Sequence, residues 1–120
     1  MKALIVDDAA FMRAVMKRIL TGMGFFDELV EASNGAEAIT TYAAVKPDVV
    51  TMDVTMPEMD GITALKKILE VDSQAKIIVC SAMGQKDIVL EAIKAGAKHF
   101  IVKPIDEAKV VATVNAILHV

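Results

Sequence analysis

Five short apolar runs, most of them rich in β-branched residues, recur along the chain: Ala3–Val6, Glu28–Ala32, Asp48–Asp53, Lys76–Ser81 and His99–Val102. Such runs predict buried strands, because strands covered on both faces are near-continuously apolar. Between and after them lie longer segments whose apolar residues fall three and four apart, the spacing that gives a helix one apolar face. The first carries Met12, Val15, Met16, Ile19 and Leu20; the second Ala36, Ile39 and Ala43; the third Ile62, Leu65, Ile68 and Leu69. The fourth shows Ile88, Val89, Ala92 and Ile93, and the last Val110, Val111, Val114, Ile117 and Leu118. Gly24 and Gly96 stand just past predicted helices, where a left-handed cap is favoured. Asn34-Gly35 opens the second helix. Pro47-Asp48 separates it from the third strand, since the residue before proline resists the helical region. The order is a βα pair repeated five times, which predicts right-handed crossovers and a doubly wound parallel sheet with helices on both faces. In such sheets ligands bind beyond the carboxyl ends of the strands, at the switch point in strand order.

Polar groups follow the apolar run directly at four of the five predicted strand ends. They are Asp7-Asp8 after strand one, Asp53 closing strand three, Ser81 closing strand four and Lys103-Pro104 after strand five. Strands one and three are neighbours in a doubly wound sheet, so Asp7, Asp8 and Asp53 should converge. Three carboxylates so close repel one another unless a cation neutralises them. An all-oxygen ligand set selects a hard divalent ion, most simply Mg²⁺. With a lysine nearby the set also suits phosphoryl transfer, a carboxylate acting as nucleophile. Each residue alone has a plainer reading: a strand-end Asp forms turns, and Asp8 could cap the helix beginning near Ala9.

Composition removes several other classes. The chain has 120 residues, the size of one ordinary domain, and 55% of them are hydrophobic, enough for a substantial core. Thirteen Lys and Arg against 16 Asp and Glu leave a formal net charge of −3, and the pI near 5.3 argues against direct nucleic-acid binding. No apolar run approaches a membrane span, and the first apolar stretch is too short for a signal peptide. These features predict a cytoplasmic protein off the membrane. The single cysteine, Cys80, excludes an internal disulfide and a cysteine-based zinc site, and reads as an inert core thiol. Met12, Met16 and Met23 read as core or semi-core packing, His99 and His119 carry no metal-ligand spacing, and Lys86, Asp87, Glu91 and Lys94 read as a solvated face of helix four.

Asp7-Asp8, the segment Met52-Asp53-Val54-Thr55-Met56-Pro57-Glu58-Met59-Asp60-Gly61, Ser81-Ala82 and Lys103-Pro104 together resemble the receiver domain of two-component response regulators. The likeness covers essentially the whole chain as a single domain, 1–120, and Asp7–Arg13 and Ile77–Gly84 are similar to the chemotaxis receivers of the CheY type in particular. It implies a flavodoxin-like (CheY-like) sheet with strand order 2-1-3-4-5. It further implies that Asp53 is the phosphoacceptor and that Mg²⁺ is held by Asp8, Asp53 and the Thr55 backbone carbonyl, with Asp7 acting through water. Lys103 would pair with Asp53 and then with a phosphoryl oxygen, its plainer reading being a solvated lysine. Pro104 would follow a cis peptide, against the generic trans preference.

The same resemblance implies that Ser81 is a switch hydroxyl that moves toward the phosphoryl group, although a strand-end serine can simply bond backbone. Phe100 occupies the switch-aromatic position, where a tyrosine often stands in this family, and ordinary core packing is its alternative. Thr55 and Met83 fall at positions that tune the lifetime of the phosphoryl group. Met83 has no polar group with which to orient a hydrolytic water, which predicts slow self-dephosphorylation. The implied partners are a histidine kinase of the CheA type, the flagellar motor switch and a phosphatase, with the protein acting as a monomeric, non-enzymatic switch.

Within the family the alternatives are a phosphorelay intermediate or a receiver from a longer regulator. From other classes come a haloacid-dehalogenase-type phosphatase and a flavodoxin-like FMN carrier. The phosphatase expects a second Asp two residues after the nucleophile, where this chain has Thr55. The carrier expects a phosphate-cradling loop where this chain has Asp7-Asp8-Ala9-Ala10, whose carboxylates would repel the FMN phosphate.

Overall fold

The computed structural model describes residues 1–54 and 61–119. Within them ten elements alternate: β1 (Lys2–Val6), α1 (Ala10–Gly22), β2 (Glu28–Ala32), α2 (Gly35–Val45), β3 (Val49–Asp53), α3 (Gly61–Val71), β4 (Ile77–Ser81), α4 (Lys86–Ala95), β5 (His99–Val102) and α5 (Glu107–Leu118). The five strands are all parallel in the order β2-β1-β3-β4-β5, as the sequence and its resemblance imply.

The pleat divides each central strand between two cores. Leu4, Val6, Val50, Met52, Ile77 and Val79 pack on one side against Ala38 and Tyr42 of α2, Leu65 and Ile68 of α3, and Ala92 of α4. The alternate residues Ala3, Ile5, Val49, Ile78 and Cys80 pack on the other side against Met16, Ile19 and Leu20 of α1 and Val110, Val114 and Leu118 of α5. Period-two alternation in the strands and period-3.6 alternation in the helices thus meet face to face. Cys80 is buried, and burial pushes its thiol pKa up to about 12, which keeps it protonated.

Three details differ from the sequence reading. The two edge strands are not buried runs: β2 is half-buried, and in β5 only Ile101 is buried. An edge strand pairs on one side only, so its apolar character carries less burial than the same run at the centre. In α2 the core face is Ala38 and Tyr42 rather than Ala36 and Ala43, which are exposed. With so many alanines the helix gives no contrast by which to phase its apolar stripe. Ile93 of α4 is likewise 39% exposed.

Helix ends follow local chemistry. Asn34 caps α2 by accepting from the Glu37 amide at 2.9 Å, and Glu37 reaches back to the Ser33 amide, a displaced form of the capping box. Asp106 caps α5 through the amides of Ala108 and Lys109. At α1 the N-cap is Ala9, without a side-chain cap, so the capping role open to Asp8 is not used. Gly61 is required by close approach: a Cβ there would stand 2.3 Å from the Asp53 carbonyl oxygen and 2.6 Å from Val54 Cα. That glycine lets the start of α3 lie directly against the end of β3.

Candidate functional site

Register carries the strand ends to one place. β3 pairs with β1 on one side and β4 on the other, Val6 opposite Met52 and Asp53 opposite Cys80. The chain past β1 is held by the Asp7 amide, which donates to the Ala32 carbonyl at 3.2 Å. Past β5, the Lys103 amide donates to the Ser81 carbonyl at 2.7 Å. Each polar residue therefore leaves a strand that the ladder has already fixed.

The result is a compact acidic cluster. One carboxylate oxygen from each of Asp7, Asp8 and Asp53 lies within 4.8 Å of the others. Asp7 and Asp53 are buried, at 7% and 3% exposure, and Asp8 is exposed. Lys103 Nζ stands 3.5 Å from Asp7 Oδ2 and 3.6 Å from Asp53 Oδ2. Burial raises the Asp7 pKa, and the nearby Asp53 charge raises it further, against the Ala9 amide at 2.9 Å and Lys103, which lower it. For Lys103, burial works against the charge, but Asp53 and Asp7 outweigh it and raise the pKa. One ammonium facing this cluster leaves negative charge in excess. An all-oxygen, cysteine-free donor set of this size fits a hard divalent cation.

Ser81 is 1% exposed, and its Oγ is buried with no hydrogen-bond partner among the described residues. The backbone-bonded alternative for Ser81 is thus not what the structure holds. Next to it, Gln85 Oε1 accepts from the Ala82 amide at 2.9 Å and closes the β4–α4 turn. The Lys103–Pro104 peptide is cis. Phe100 is 42% exposed and stacks on His99 with ring centroids 5.6 Å apart, so it is not packed in the core. Beside it a groove of about 680 Å³ runs between α4 and β5, lined by Met83, Val89, Leu90, Ile93, Phe100 and Val102. Met83 is 77% exposed. Thr55, and with it the proposed carbonyl ligand, lies outside the described residues.

Sequence reasoning assigned no role to Arg13 or Glu31. Arg13 Nη1 donates to the Asp7 carbonyl at 2.6 Å and its Nε donates to Glu31 Oε1 at 3.0 Å. The one available signal was position, Arg13 lying one helical turn beyond Ala9. Its link to β2 is visible only in three dimensions.

The family model for the response regulator receiver domain matches residues 3–115. Among curated proteins, the chain is 58% identical over 116 residues to the chemotaxis protein CheY of Thermotoga maritima, covering 97% of this chain and 96% of that protein. It is 57% identical over 118 residues to the chemotaxis protein CheY of Bacillus subtilis, covering 98% of each. Among solved structures, it superimposes on the CheX–CheY–BeF3–Mg complex from Borrelia burgdorferi with a TM-score of 0.88 at 41% identity, covering 97% of this chain and 87% of that one. It matches the response regulator domain of Thermotoga maritima CheB with a TM-score of 0.90 at 33% identity, covering 100% and 97%.

Proposed function

From the premise that this chain belongs to the response regulator receiver domains, we propose that it is a phosphorylation-controlled binding switch of chemotaxis signalling. It is CheY-like over nearly its whole length. The phosphoryl donor is the phosphohistidine of a CheA-type kinase, the output is the flagellar motor switch, and a phosphatase ends the signal. It works in the cytoplasm, as a monomer.

One observation carries the chemistry: Asp53 stands buried at the end of β3 between Asp7, Asp8 and the Lys103 ammonium. In the proposed reaction an Asp53 carboxylate oxygen attacks phosphorus, the P–N bond to the kinase histidine breaks, and an aspartyl phosphate forms. Asp8 and Asp53 would hold Mg²⁺ directly, Asp7 through water, and the Thr55 carbonyl would complete the set. When bound there, the cation offsets charge on the carboxylates and the phosphoryl oxygens. Lys103 exchanges its pairing with Asp53 for a phosphoryl oxygen. The unpartnered Ser81 hydroxyl supplies a donor to the new acceptor oxygens, which carry roughly −1.5 to −2 charges. As Ser81 moves, Phe100 turns inward, and the α4–β5 surface changes. Such a switch biases two pre-existing states. With no hydroxyl, Phe100 is read by partners through its ring alone.

The test is intact mass after incubation with Mg²⁺ and a small acyl-phosphate donor, beside Asp53→Asn. A gain of one phosphoryl group that needs Mg²⁺ and is absent in the variant is expected. Equal labelling of Asp53→Asn would overturn the assignment.

A further inference from the structure

We propose that Arg13 is a positioning residue for the cation site, setting the direction of Asp8 through the backbone that joins it to Asp7. The inference builds on the reading of the acidic cluster as a Mg²⁺ site. Arg13 is an α1 residue, its side chain only 17% exposed, whose guanidinium turns back over the start of its own helix. The 2.6 Å bond to the Asp7 carbonyl and the 3.0 Å bond to Glu31 use two edges of the planar fork at once. Such a grip fixes orientation as well as distance. Glu31 belongs to β2, so the clamp ties α1 and β2 to the turn after β1.

Asp7 is engaged at every polar atom. Its amide is held by Ala32, its carbonyl by Arg13, Oδ1 by the Ala9 amide and Oδ2 by Lys103. Asp8 differs: its exposed carboxylate makes no hydrogen bond among the described residues. Its aim is therefore set by the backbone from which it projects, and the Asp7 carbonyl is one end of the peptide linking the two residues. Groups that orient a ligand from behind change metal affinity by roughly 10–100-fold when removed.

Charge and geometry predict opposite signs here. Arg13 is a cation beside a cation site, so deleting it should strengthen Mg²⁺ binding if only its charge mattered. If it positions Asp8, deletion weakens binding. Lys17 shares Glu31, at 3.8 Å from Oε2, and makes no hydrogen bond or ion pair to Asp7 among the described residues; it supplies the charge control.

The experiment is a calorimetric Mg²⁺ titration of wild type, Arg13→Ala, Arg13→Lys and Lys17→Ala, with melting curves in chelator to confirm folding. Arg13→Ala should bind roughly tenfold more weakly, Arg13→Lys should fall between it and wild type, and Lys17→Ala should bind as wild type or tighter. Wild-type or tighter binding in Arg13→Ala overturns the proposal, as does an equal loss in Lys17→Ala. Should Arg13→Ala fail to fold, wild-type affinity in Arg13→Lys, which keeps the charge but loses the fork, overturns it. A folded wild type that does not bind Mg²⁺ sinks the reading of the site itself, whereas a binding wild type with an equally good Arg13→Ala sinks this inference alone.

Discussion

Asp7, Asp53, Ser81 and Lys103 were legible because each directly follows or closes an apolar strand, and strand ends are where a parallel sheet gathers side chains. Phe100 was not legible in the same way. A ring in an apolar run reads as core, and only the edge position of β5 shows that it faces solvent. Met83 stands exposed at the β4–α4 turn. Met83→Glu should shorten the phospho-lifetime severalfold by orienting a hydrolytic water, measured as decay of the aspartyl phosphate; an unchanged decay would count against that role. Away from the site, the Tyr42 hydroxyl donates to Asp72 Oδ2 at 2.7 Å. Burial, with the Asp72 bond and charge added, raises the phenol pKa far above its ordinary 10.0. The folded state therefore keeps the proton after the unfolded chain has lost it. Its contribution is complete below about pH 10 and fades as pH rises above that value. Tyr42→Phe should be less stable than wild type at pH 8, with the gap narrowing toward pH 11 in denaturant melts. A pH-independent gap would refute the linkage.

At the scale of elements, boundaries follow capping and punctuation, which sequence reveals well. Gly24 and Gly96 both adopt positive φ past their helices, and Asn34 opens α2 as expected. The phase of α2 was illegible because alanines lie on its buried and exposed faces alike. Nor did the runs at β2 and β5 distinguish an edge strand from a central one, since that depends on strand order and not on the run itself. Two substitutions test the element ends. Asp106→Ala removes two amide contacts at the start of α5 and should cost about 1 kcal/mol in chemical denaturation. Gly61→Ala forces the start of α3 away from the Asp53 carbonyl and should cost about 1–3 kcal/mol. It should also slow phosphoryl acceptance, because the displaced backbone is that of Asp53. Normal acceptance with full stability would show that the close approach is not needed.

For the molecule as a whole, two cores stabilise the sheet while the acidic cluster opposes it. Three gathered carboxylates with one lysine are a local source of instability. Two consequences differ in sign. Mg²⁺ should raise the melting temperature, by an amount corresponding to about 2.7 kcal/mol at a hundredfold excess over its dissociation constant. Asp8→Asn should be more stable than wild type in chelator, since one repelling charge is gone, yet gain little from added Mg²⁺. A variant that is no more stable in chelator would place the repulsion elsewhere.

β1, β3 and β4 are covered on both faces, while β5 has neighbours on one side alone. Amide protons of Val50 and Met52 should therefore trade for deuterium only when the entire domain opens, and those of His99 and Phe100 through small local excursions. Asp53 thus stands on the buried centre of the sheet, and the exposed edge at β5 lies two strands away. If Asp53 accepts a phosphoryl group as proposed, deuterium uptake along β5 is the place to watch the change arrive.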